Sequence, residues 1–572
     1  MPHSSEPRVA YFTMEIGLEP SMPTYSGGLG VLAGDTVRAA ADLEFPLAVV
    51  TLLYHRGYFH QRLDEAGSQT EVPVRWKMDR YVKALEPRVS VEVEGRTVTI
   101  RAWLYQVVGV TDYAVPVYLL DTDLPENSPA DRRITDQLYG GDKRMRLLQE
   151  TVLGIGGVRM MRALDHRTVE RFHMNEGHAA LITLSLIEEK LADGRWTGER
   201  ADAVRAAADS IRPTCVFTTH TPVPAGHDAF PADMAEPLLG RERWADLSAL
   251  GQAETLNMTR LALRCSGYVN GVAWMHGQVT QKMFPDAAVS AITNGVHVGT
   301  WAAPAFHKLF DRHLSTWRRD SMALRYAIAI PREEVRAAHQ ESKRNLLTYV
   351  NKRTGGGFEM NNLTLGFARR ATAYKRAALM FQDLDRLKAM ARYVGPLQIV
   401  MAGKAHPHDN EGKDIIRRLF ETARGLKGKV PVIFLEDYDM TLGKLLTSGV
   451  DVWVNLPRPP LEASGTSGMK AAVNGVPSLS VKDGWWLEGC IEGETGWAVG
   501  ELLKEENGGA PDVRYAAAFY DKLSKAVMPC YYKDPDRFTD IMRKTIALNG
   551  SHFNTHRMFL QYVQDAYRIM HW

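Results

Sequence analysis

A glycine- and hydroxyl-rich loop that ends in a lysine lies in the last third of the chain. Residues Glu462 to Lys470 read E-A-S-G-T-S-G-M-K. Such a loop can turn several backbone N–H groups towards a phosphate, and the amine of Lys470 is placed to form a Schiff base with an aldehyde. A turn followed by a surface lysine is the simpler alternative. Pyridoxal 5′-phosphate (PLP) carries both an aldehyde and a phosphate, so this loop is a candidate cofactor site.

A basic cluster follows a short apolar run in the second half of the chain. Leu363, Leu365 and Phe367 predict a strand, so the cluster lies at a strand end. Arginine suits forked contact with phosphate oxygens and lysine suits a point contact, so these side chains could hold two dianions. A solvated basic helix face is the alternative. The cations are Arg369, Arg370, Lys375 and Arg376.

A glycine loop precedes a predicted helix near the N-terminus. Residues 25–35 include Gly27, Gly28 and Gly30. Glycines allow close approach of the backbone, and a helix N-terminus favours an anion. A plain tight turn is the alternative, and the loop indicates the fold more than the reaction.

Histidines at predicted strand ends are further candidates. His220 follows the apolar run 215–219 and could be a general base, a metal ligand or a structural residue. The cluster H-x-N-E-x-H at 173–178 could suggest zinc, but it runs from a strand into a helix, so we expect no metal site there. His406 to Asp409 reads as a strand-end loop and helix cap.

Composition excludes several classes of function. The 572 residues are too many for one core, and 45% hydrophobic with 24% charged residues is ordinary for a globular protein. Basic residues number 69 and acidic residues 67, so no bulk field attracts nucleic acid or acidic membranes. The four cysteines lack C-x-x-C spacing and predict free thiols in a reducing compartment. With no apolar signal core or membrane-length run, we expect a cytoplasmic protein.

Short β-branched runs alternate with segments of helical period, which is typical of parallel sheets covered by helices. A charged helix at 332–351 and a glycine-rich break at 352–357 separate two such halves. We therefore expect two α/β lobes with an active site in the cleft between them. The predicted strands are 46–53, 115–120, 215–219, 397–402, 432–435, 450–454 and 477–481; the predicted hairpin is 89–100; the predicted helices include 179–191, 414–424 and one from about 469.

Together these motifs resemble the α-glucan (glycogen, starch, maltodextrin) phosphorylases, and the lysine loop has the form of their short prokaryotic branch. The resemblance spans roughly residues 8–490. It implies two Rossmann-like lobes in the GT-B glycosyltransferase fold. Residues 1–300 would form an N-terminal lobe on the glucan and phosphate side, and 301–572 a PLP-binding C-terminal lobe. A terminal helix at about 556–570 would pack back on the first lobe.

The resemblance also implies roles for individual residues. Arg370 would hold the substrate phosphate, Lys375 the cofactor phosphate region, and Glu462 a glucose hydroxyl. The implied catalytic residues are His220, Arg370, Lys375 and Lys470. The implied cofactor-binding residues are Lys470, Thr466, Ser467, Arg369, Lys375, Tyr438 and Trp301. The implied substrate-binding residues are Gly27, Gly28, Leu29, His220, Asn294, Arg370, Glu462, Ser464 and Gly465. At 369–374 the chain departs from the long enzymes of the family, with Arg369, Thr372 and Ala373, as its short branch does.

The implied reaction is reversible, retaining phosphorolysis of an α-1,4-glucan to glucose 1-phosphate. A phosphate monoester has a second pKa near ~6, so the PLP phosphate could both give and accept a proton. A sugar-nucleotide-dependent glucan synthase of the same fold and a non-catalytic glucan-binding relative are the alternatives. Few residues precede Gly27, so we expect no phosphorylation or nucleotide control of the kind the long enzymes have. Expected partners are glucan or maltodextrin, inorganic phosphate and a second copy of the chain in a homodimer.

Overall fold

The computed structural model describes residues 5–194, 196, 198–500 and 512–572. The chain divides into two compact units. Unit 1 contains the described residues up to Phe59, together with Pro73–Ile292 and Phe559–Trp572. Unit 2 contains His60–Val72 and the described part of Thr293–Met558. This division falls eight residues before the predicted lobe boundary at 300 and assigns His60–Val72 to unit 2.

Most parallel strands of both units are short and buried, as the β-branched runs predict, whereas the antiparallel hairpins are partly exposed. In chain order they are β1 (Val9–Thr13), β2 (Leu47–Leu52), β3 (His60–Leu63), β4 (Gln69–Val72), β5 (Lys83–Val93), β6 (Arg96–Val108), β7 (Ala114–Asp121), β8 (Arg171–Asn175), β9 (Cys215–Thr218), β10 (Ala229–Pro231), β11 (Thr255–Asn257), β12 (Tyr268–Gly271), β13 (Ser290–Ala291), β14 (Leu363–Ala368), β15 (Leu397–Ala402), β16 (Val432–Leu435), β17 (Val452–Asn455), β18 (Ser478–Val481) and β19 (Gly496–Val499).

Helices connect most of these strands. In chain order they are α1 (Gly28–Asp42), α2 (Lys143–Thr151), α3 (Gly157–Ala163), α4 (Ile182–Ala192), α5 (Arg200–Ile211), α6 (Ala232–Leu239), α7 (Arg241–Ala249), α8 (Met258–Cys265), α9 (Trp274–Met283), α10 (Val298–Trp301), α11 (Pro304–His313), α12 (Arg332–Thr354), α13 (Leu384–Tyr393), α14 (Asn410–Gly425), α15 (Met440–Gly449), α16 (Thr466–Ala472), α17 (Trp486–Gly489), α18 (Asp512–Lys522), α19 (Met528–Lys533), α20 (Pro535–Lys544) and α21 (Thr555–Gln561). Among the described residues, none of these helices is both long and apolar enough to cross a membrane.

Unit 1 is built on a nine-stranded sheet with the order β13-β12-β9-β8-β1-β2-β7-β6-β5. Its strands run parallel from β13 to β7, and β5 and β6 form an antiparallel edge. This edge is the predicted hairpin. β1 pairs with β2 on one side and with β8 on the other. The direction in which successive parallel strands are added to the sheet therefore reverses between β1 and β8. Ligands in open α/β sheets bind beyond the carboxyl ends of strands at such a point.

Unit 2 contains a six-stranded, wholly parallel sheet with the order β16-β15-β14-β17-β18-β19. Numbered by their appearance in this sheet, the strands follow the doubly wound order 3-2-1-4-5-6, so the reversal lies between β14 and β17. The β3–β4 hairpin joins the same unit through Gln61, whose backbone N–H donates to Asp437 Oδ1 at 3.0 Å. The two sheets confirm the predicted α/β fold class.

Several predicted element ends are wrong by a few residues. The helix predicted from about 469 begins at Thr466, because Gly465 has a φ of 91° and enters it in the left-handed region. Lys470 therefore lies inside α16. The predicted helix at 179–191 begins at Ile182, after a 3₁₀ turn at Gly177–Ala179. At the C-terminus, α21 continues as a π-helical segment that ends at Tyr567, where Arg568 turns left-handed at a φ of 55°.

Candidate active site

Unit 2 brings a basic cluster to the reversal point of its sheet. Arg369 follows β14, and Asn455 is the last residue of β17. The Arg369 guanidinium donates to Asn455 Oδ1, so the ends of the two strands are joined by side chains. We call Arg369, Lys375, Glu462, Lys470 and Asp483 the unit 2 cluster.

Glu462 is the buried carboxylate that the cations of this cluster share. Lys375 Nζ lies 2.9 Å from Glu462 Oε1 and 2.8 Å from Oε2. Arg369 Nη1 lies 2.6 Å from Glu462 Oε2. Burial disfavours the charged carboxylate, but Arg369 and Lys375 outweigh it and lower its pKa to about 2. Glu462 is therefore ionised at neutral pH, and its oxygens can only accept hydrogen bonds.

The same burial changes the titration of Lys375. Desolvation, followed by the charge of Arg369, lowers the pKa of Lys375 to about 7, although Glu462 opposes the shift. A lysine with a pKa near neutrality can exchange protons under physiological conditions.

Asp483 holds the segment that carries Glu462. Its Oδ2 accepts the Glu462 N–H at 2.9 Å, and its Oδ1 accepts the Gly484 N–H at 2.9 Å. Burial, together with the charge of Glu462, raises the pKa of Asp483 to about 7. Asp483 was not predicted as a site residue, because an aspartate that accepts two N–H groups has no local signature.

Lys470 is buried, and its amine lies over an aromatic ring. Nζ is 3.9 Å from the ring centroid of Trp301, which is itself 2% exposed. Asn474 Nδ2 donates to both Lys470 O and Trp301 O at 2.9 Å, and this tie holds the two residues together. Lys470 is 7% exposed, so the simpler alternative of a turn followed by a surface lysine is excluded.

The loop before Lys470 is shaped by glycines that leave room for Trp485. A Cβ added at Gly468 would lie 2.7 Å from the Trp485 ring. The backbone N–H of Trp485 donates to Ser464 O at 2.8 Å. Ser464 Oγ is buried, and no described residue hydrogen-bonds to it. Ser467 Oγ, by contrast, accepts the Trp453 indole N–H at 3.2 Å.

Tyr438 and Asn294 also belong to unit 2. Burial raises the pKa of Tyr438 to about 12, so its hydroxyl remains protonated. A Cβ added at Gly443 would lie 3.2 Å from that hydroxyl and 3.6 Å from the Trp301 ring, so α15 approaches both rings closely at this glycine. Asn294 is buried, and its Oδ1 has no hydrogen-bond partner among the described residues. Arg370 is exposed, unlike the neighbouring Arg369.

Unit 1 places the glycine loop beside a buried carboxylate at the end of β1. Glu15 Oε2 accepts the N–H groups of Ser26 at 2.5 Å and Gly27 at 3.2 Å. Tyr139 donates its hydroxyl to Glu15 Oε1 at 2.9 Å. Gly28 is exposed at the start of α1, followed by the half-buried Leu29. Glu15 and Tyr139 were not predicted as site residues, because neither stands in a motif.

His220 is held at the end of β9 by the residues that end β8. Its Nε2 lies 2.7 Å from Asn175 Oδ1, while Asn175 Nδ2 donates to Thr13 Oγ1 at 3.0 Å. Burial lowers the pKa of His220 to about 4, so the ring is neutral and donates from Nε2. Its backbone N–H donates to Glu176 Oε2 at 2.7 Å. We call Glu15, Gly27, Asn175, Glu176 and His220 the unit 1 cluster.

The H-x-N-E-x-H motif is divided between two environments. His173 uses both ring nitrogens, one with the Tyr567 hydroxyl at 2.7 Å and one with Thr218 Oγ1 at 2.8 Å. Burial lowers its pKa to about 3. His178 lies instead beside Asp228, with Nε2 3.3 Å from Asp228 Oδ2. The motif therefore does not converge on one centre.

The structure thus brings some predicted residues into contact within unit 2. Arg369 and Lys375 meet at Glu462, and Lys470 lies over Trp301. In unit 1, Gly27 contacts Glu15 and His220 contacts Asn175, residues that were not predicted as site residues. The roles assigned to the predicted residues remain predictions.

Comparison with known proteins identifies the family. Residues 227–496 match the model of the carbohydrate phosphorylases. A maltodextrin phosphorylase from Thermococcus litoralis is 39% identical over 99% of this chain and 71% of its own length. Glycogen phosphorylases from Mycobacterium tuberculosis and Aquifex aeolicus are 37% and 35% identical, each over 98% of this chain, and are covered over 70% and 86% of their lengths. Because it is 35–39% identical to these phosphorylases over 98–99% of its own length, this chain belongs to the carbohydrate phosphorylase family.

Proposed function

We propose that the chain is a retaining α-1,4-glucan phosphorylase. It moves glucose reversibly between the non-reducing end of a glucan and inorganic phosphate, giving glucose 1-phosphate. The observation that carries this proposal is the buried Lys470, whose amine lies 3.9 Å from the Trp301 ring centroid in the unit that also buries Arg369 and Lys375 beside Glu462. A protein that only bound glucan would not need this arrangement.

The residues around Lys470 suit PLP. Lys470 supplies a buried amine, Trp301 an aromatic face, and Ser464 and Thr372 buried hydroxyls for which no described residue is a partner. Arg369, Lys375, Thr466, Ser467 and Tyr438 would complete the set of cofactor contacts. When bound, PLP supplies an aldehyde that matches the lysine and a phosphate that can exchange a proton near neutral pH.

The residues of the chain would divide the remaining work. Arg370 is exposed and offers a fork of donors to the oxygens of inorganic phosphate. Glu462 is kept ionised by Arg369 and Lys375, so it can accept a hydrogen bond from a glucose hydroxyl. His220 is neutral and can accept at Nδ1. These contacts would orient the sugar and the phosphate. Because His220 is neutral, it would add no positive charge beside the glucan.

We also propose the wider arrangement that the family resemblance implies. The two units would be the lobes of a GT-B fold, with unit 1 on the glucan and phosphate side and unit 2 binding PLP. The C-terminal helix would close onto the first lobe. Substrates would be α-1,4-glucan or maltodextrin, and two copies would form a homodimer.

The test is production of glucose 1-phosphate from maltodextrin and phosphate by the PLP-loaded protein. Lys470→Ala is expected to abolish both the product and the pyridoxal absorbance band. Lys470→Arg keeps the positive charge but cannot hold the aldehyde, so it should be equally inactive. Elongation of glucan from a sugar nucleotide without pyridoxal would support the synthase instead. Glucan binding without any product would support the non-catalytic relative.

A further inference from the structure

Glu150 is a buried carboxylate in unit 1 that the proposed reaction does not use. It lies on α2 and is 0% exposed. Neither of its oxygens receives a hydrogen bond from a described N–H or O–H group. An ionised carboxylate in such a position is strongly disfavoured, so Glu150 must take up a proton or a counter-charge.

The nearest acidic group is another carboxylate. One donor or acceptor atom each of Glu150, Asp228 and His178 lies within 4.8 Å of the others. Asp228 is about one-third exposed, and His178 Nε2 is 3.3 Å from its Oδ2. Two carboxylates in contact cannot both ionise cheaply, and the more buried one keeps the proton.

Arg146 is the cation nearest to this pair, but it does not pair with it. Its guanidinium stacks on Tyr139 at 4.3 Å from the ring centroid. In the part of the chain that the structure describes, no ion pair joins Arg146 to Glu150 or Asp228. Among the described residues, Tyr54, which follows β2, also faces Glu150, and burial keeps its hydroxyl protonated by raising its pKa. No full counter-charge therefore reaches Glu150.

We infer that Glu150 is a protonated positioning residue, whose carboxylic O–H donates to Asp228 and fixes that carboxylate against His178. His178 faces Glu176, and Glu176 in turn holds the backbone N–H of His220 at 2.7 Å. Through Asp228, His178 and Glu176, Glu150 would thus help to hold His220 in place without touching substrate. This part of the inference rests on the proposed function.

Electrostatics agree with this geometry. Burial, and then the charge of Asp228, raise the pKa of Glu150 well above its ordinary value, and Arg146 offsets only part of the rise. In the unfolded chain Glu150 ionises at its ordinary pKa near 4.5. The folded state therefore loses stability as the pH rises above that value, until Glu150 ionises in the folded state as well.

The first test uses Glu150→Gln, which keeps a donor to Asp228 but cannot ionise. Its melting temperature should rise relative to wild type by about 2 °C or more between about pH 5 and about pH 8. The infrared difference spectrum of wild type minus variant should contain the carbonyl band of one protonated carboxylic acid, and it should persist at pH 8, where Asp483 is mostly ionised. A constant difference in melting temperature, or no such band, would overturn the inference. So would stabilisation of the wild type by added Mn²⁺ that is lost in the variant, since the group would then hold a cation.

The second test measures activity. Glu150→Gln should retain most of kcat/KM for maltodextrin, whereas Glu150→Leu, which removes the donor, should lose about 10- to 100-fold. Equal losses in both variants would contradict the positioning role. If wild type makes no glucose 1-phosphate, the proposed function fails, while the infrared and melting results still decide whether Glu150 is protonated.

Discussion

The two clusters occupy equivalent places in their sheets but differ in charge. In unit 2 the segments that follow β14 and β17 carry the buried side chains of Arg369, Lys375 and Lys470. In unit 1 they carry the neutral His220 and carboxylates that accept backbone N–H groups. Cations suit phosphate oxygens, whereas neutral imidazoles, amides and carboxylates suit sugar hydroxyls. The same topology can thus present two kinds of polar groups, and the side chains after each strand decide which.

Replacing the exposed cation next to the unit 2 cluster gives the largest expected effect. Arg370→Ala should lower kcat/KM for phosphate by about 10²- to 10³-fold, because an oxyanion loses a charged donor. The KM for maltodextrin should change little. Steady-state kinetics with each substrate varied in turn check this, with Arg370→Lys as a partial rescue. Equal losses for glucan and phosphate would break the comparison between the units.

Removing the imidazole of the unit 1 cluster should have the next largest effect. His220→Ala should lower kcat/KM for maltodextrin by about 10²-fold, because the sugar loses a positioned contact. The loss should be constant from about pH 5.5 to about pH 8, because the pKa of His220 is about 4 and the ring is neutral throughout. His166→Ala, whose ring bonds to Tyr118 elsewhere in unit 1, is the control. A loss that varies across this range would mean that His220 titrates.

Asp483 gives a smaller effect that depends on pH. Its pKa is raised from 3.8 to about 7, so the folded wild type loses stability as the pH rises from about 4 to 7. Asp483→Asn cannot ionise and still accepts one of the two N–H groups. The unfolding free energy of the variant minus that of wild type should therefore increase by about 2 kcal/mol across that range. Denaturant titrations at several pH values measure the difference. A difference in unfolding free energy that does not change with pH would show that Asp483 is already ionised at low pH.

Asn474 gives a second effect on stability, similar in size to that of Asp483 but independent of pH in the Ala variant. Asn474→Ala removes a fully buried side-chain amide. Its Nδ2 donates two hydrogen bonds, to Trp301 O and Lys470 O, and its Oδ1 accepts the Ala303 N–H. This substitution should cost about 1–3 kcal/mol of unfolding free energy and weaken binding of pyridoxal. Asn474→Asp keeps the acceptor but loses both donors, so it separates the two contributions. Unchanged stability in both variants would show that the tie between Lys470 and Trp301 is not needed.

Most strands, and the helices with clear periodicity, were predicted from sequence. The strand 397–402 and the helix 414–424 are found as β15 and within α14, and Asp409 caps α14 as expected. The hairpin His60–Val72 was missed as a part of unit 2. Its attachment depends on contacts such as that of Gln61 with Asp437, which are 376 residues apart. No local pattern reports such a distance.

The residues of the candidate site were likewise predicted only in part. Arg369, Lys375 and Lys470 were identified because cations after apolar strands and a Gly-Ser loop are local features. Glu15, Glu150 and Asn474 were not, because a buried acceptor or donor is defined by what faces it. Asp483 was not predicted either, for the same reason.

The order of residues was enough to establish the alternation of strands and helices, the family resemblance and which cations follow which strand. Folding decided the rest: the order of the strands, the burial of Lys470, and the sharing of Glu462 by Arg369 and Lys375. Periodicity and turn chemistry depend on neighbours a few positions away, so they can be read along the chain. Burial, pKa and ion pairing depend on groups such as Lys375 and Glu462, 87 positions apart, which meet only when the sheet of unit 2 has formed.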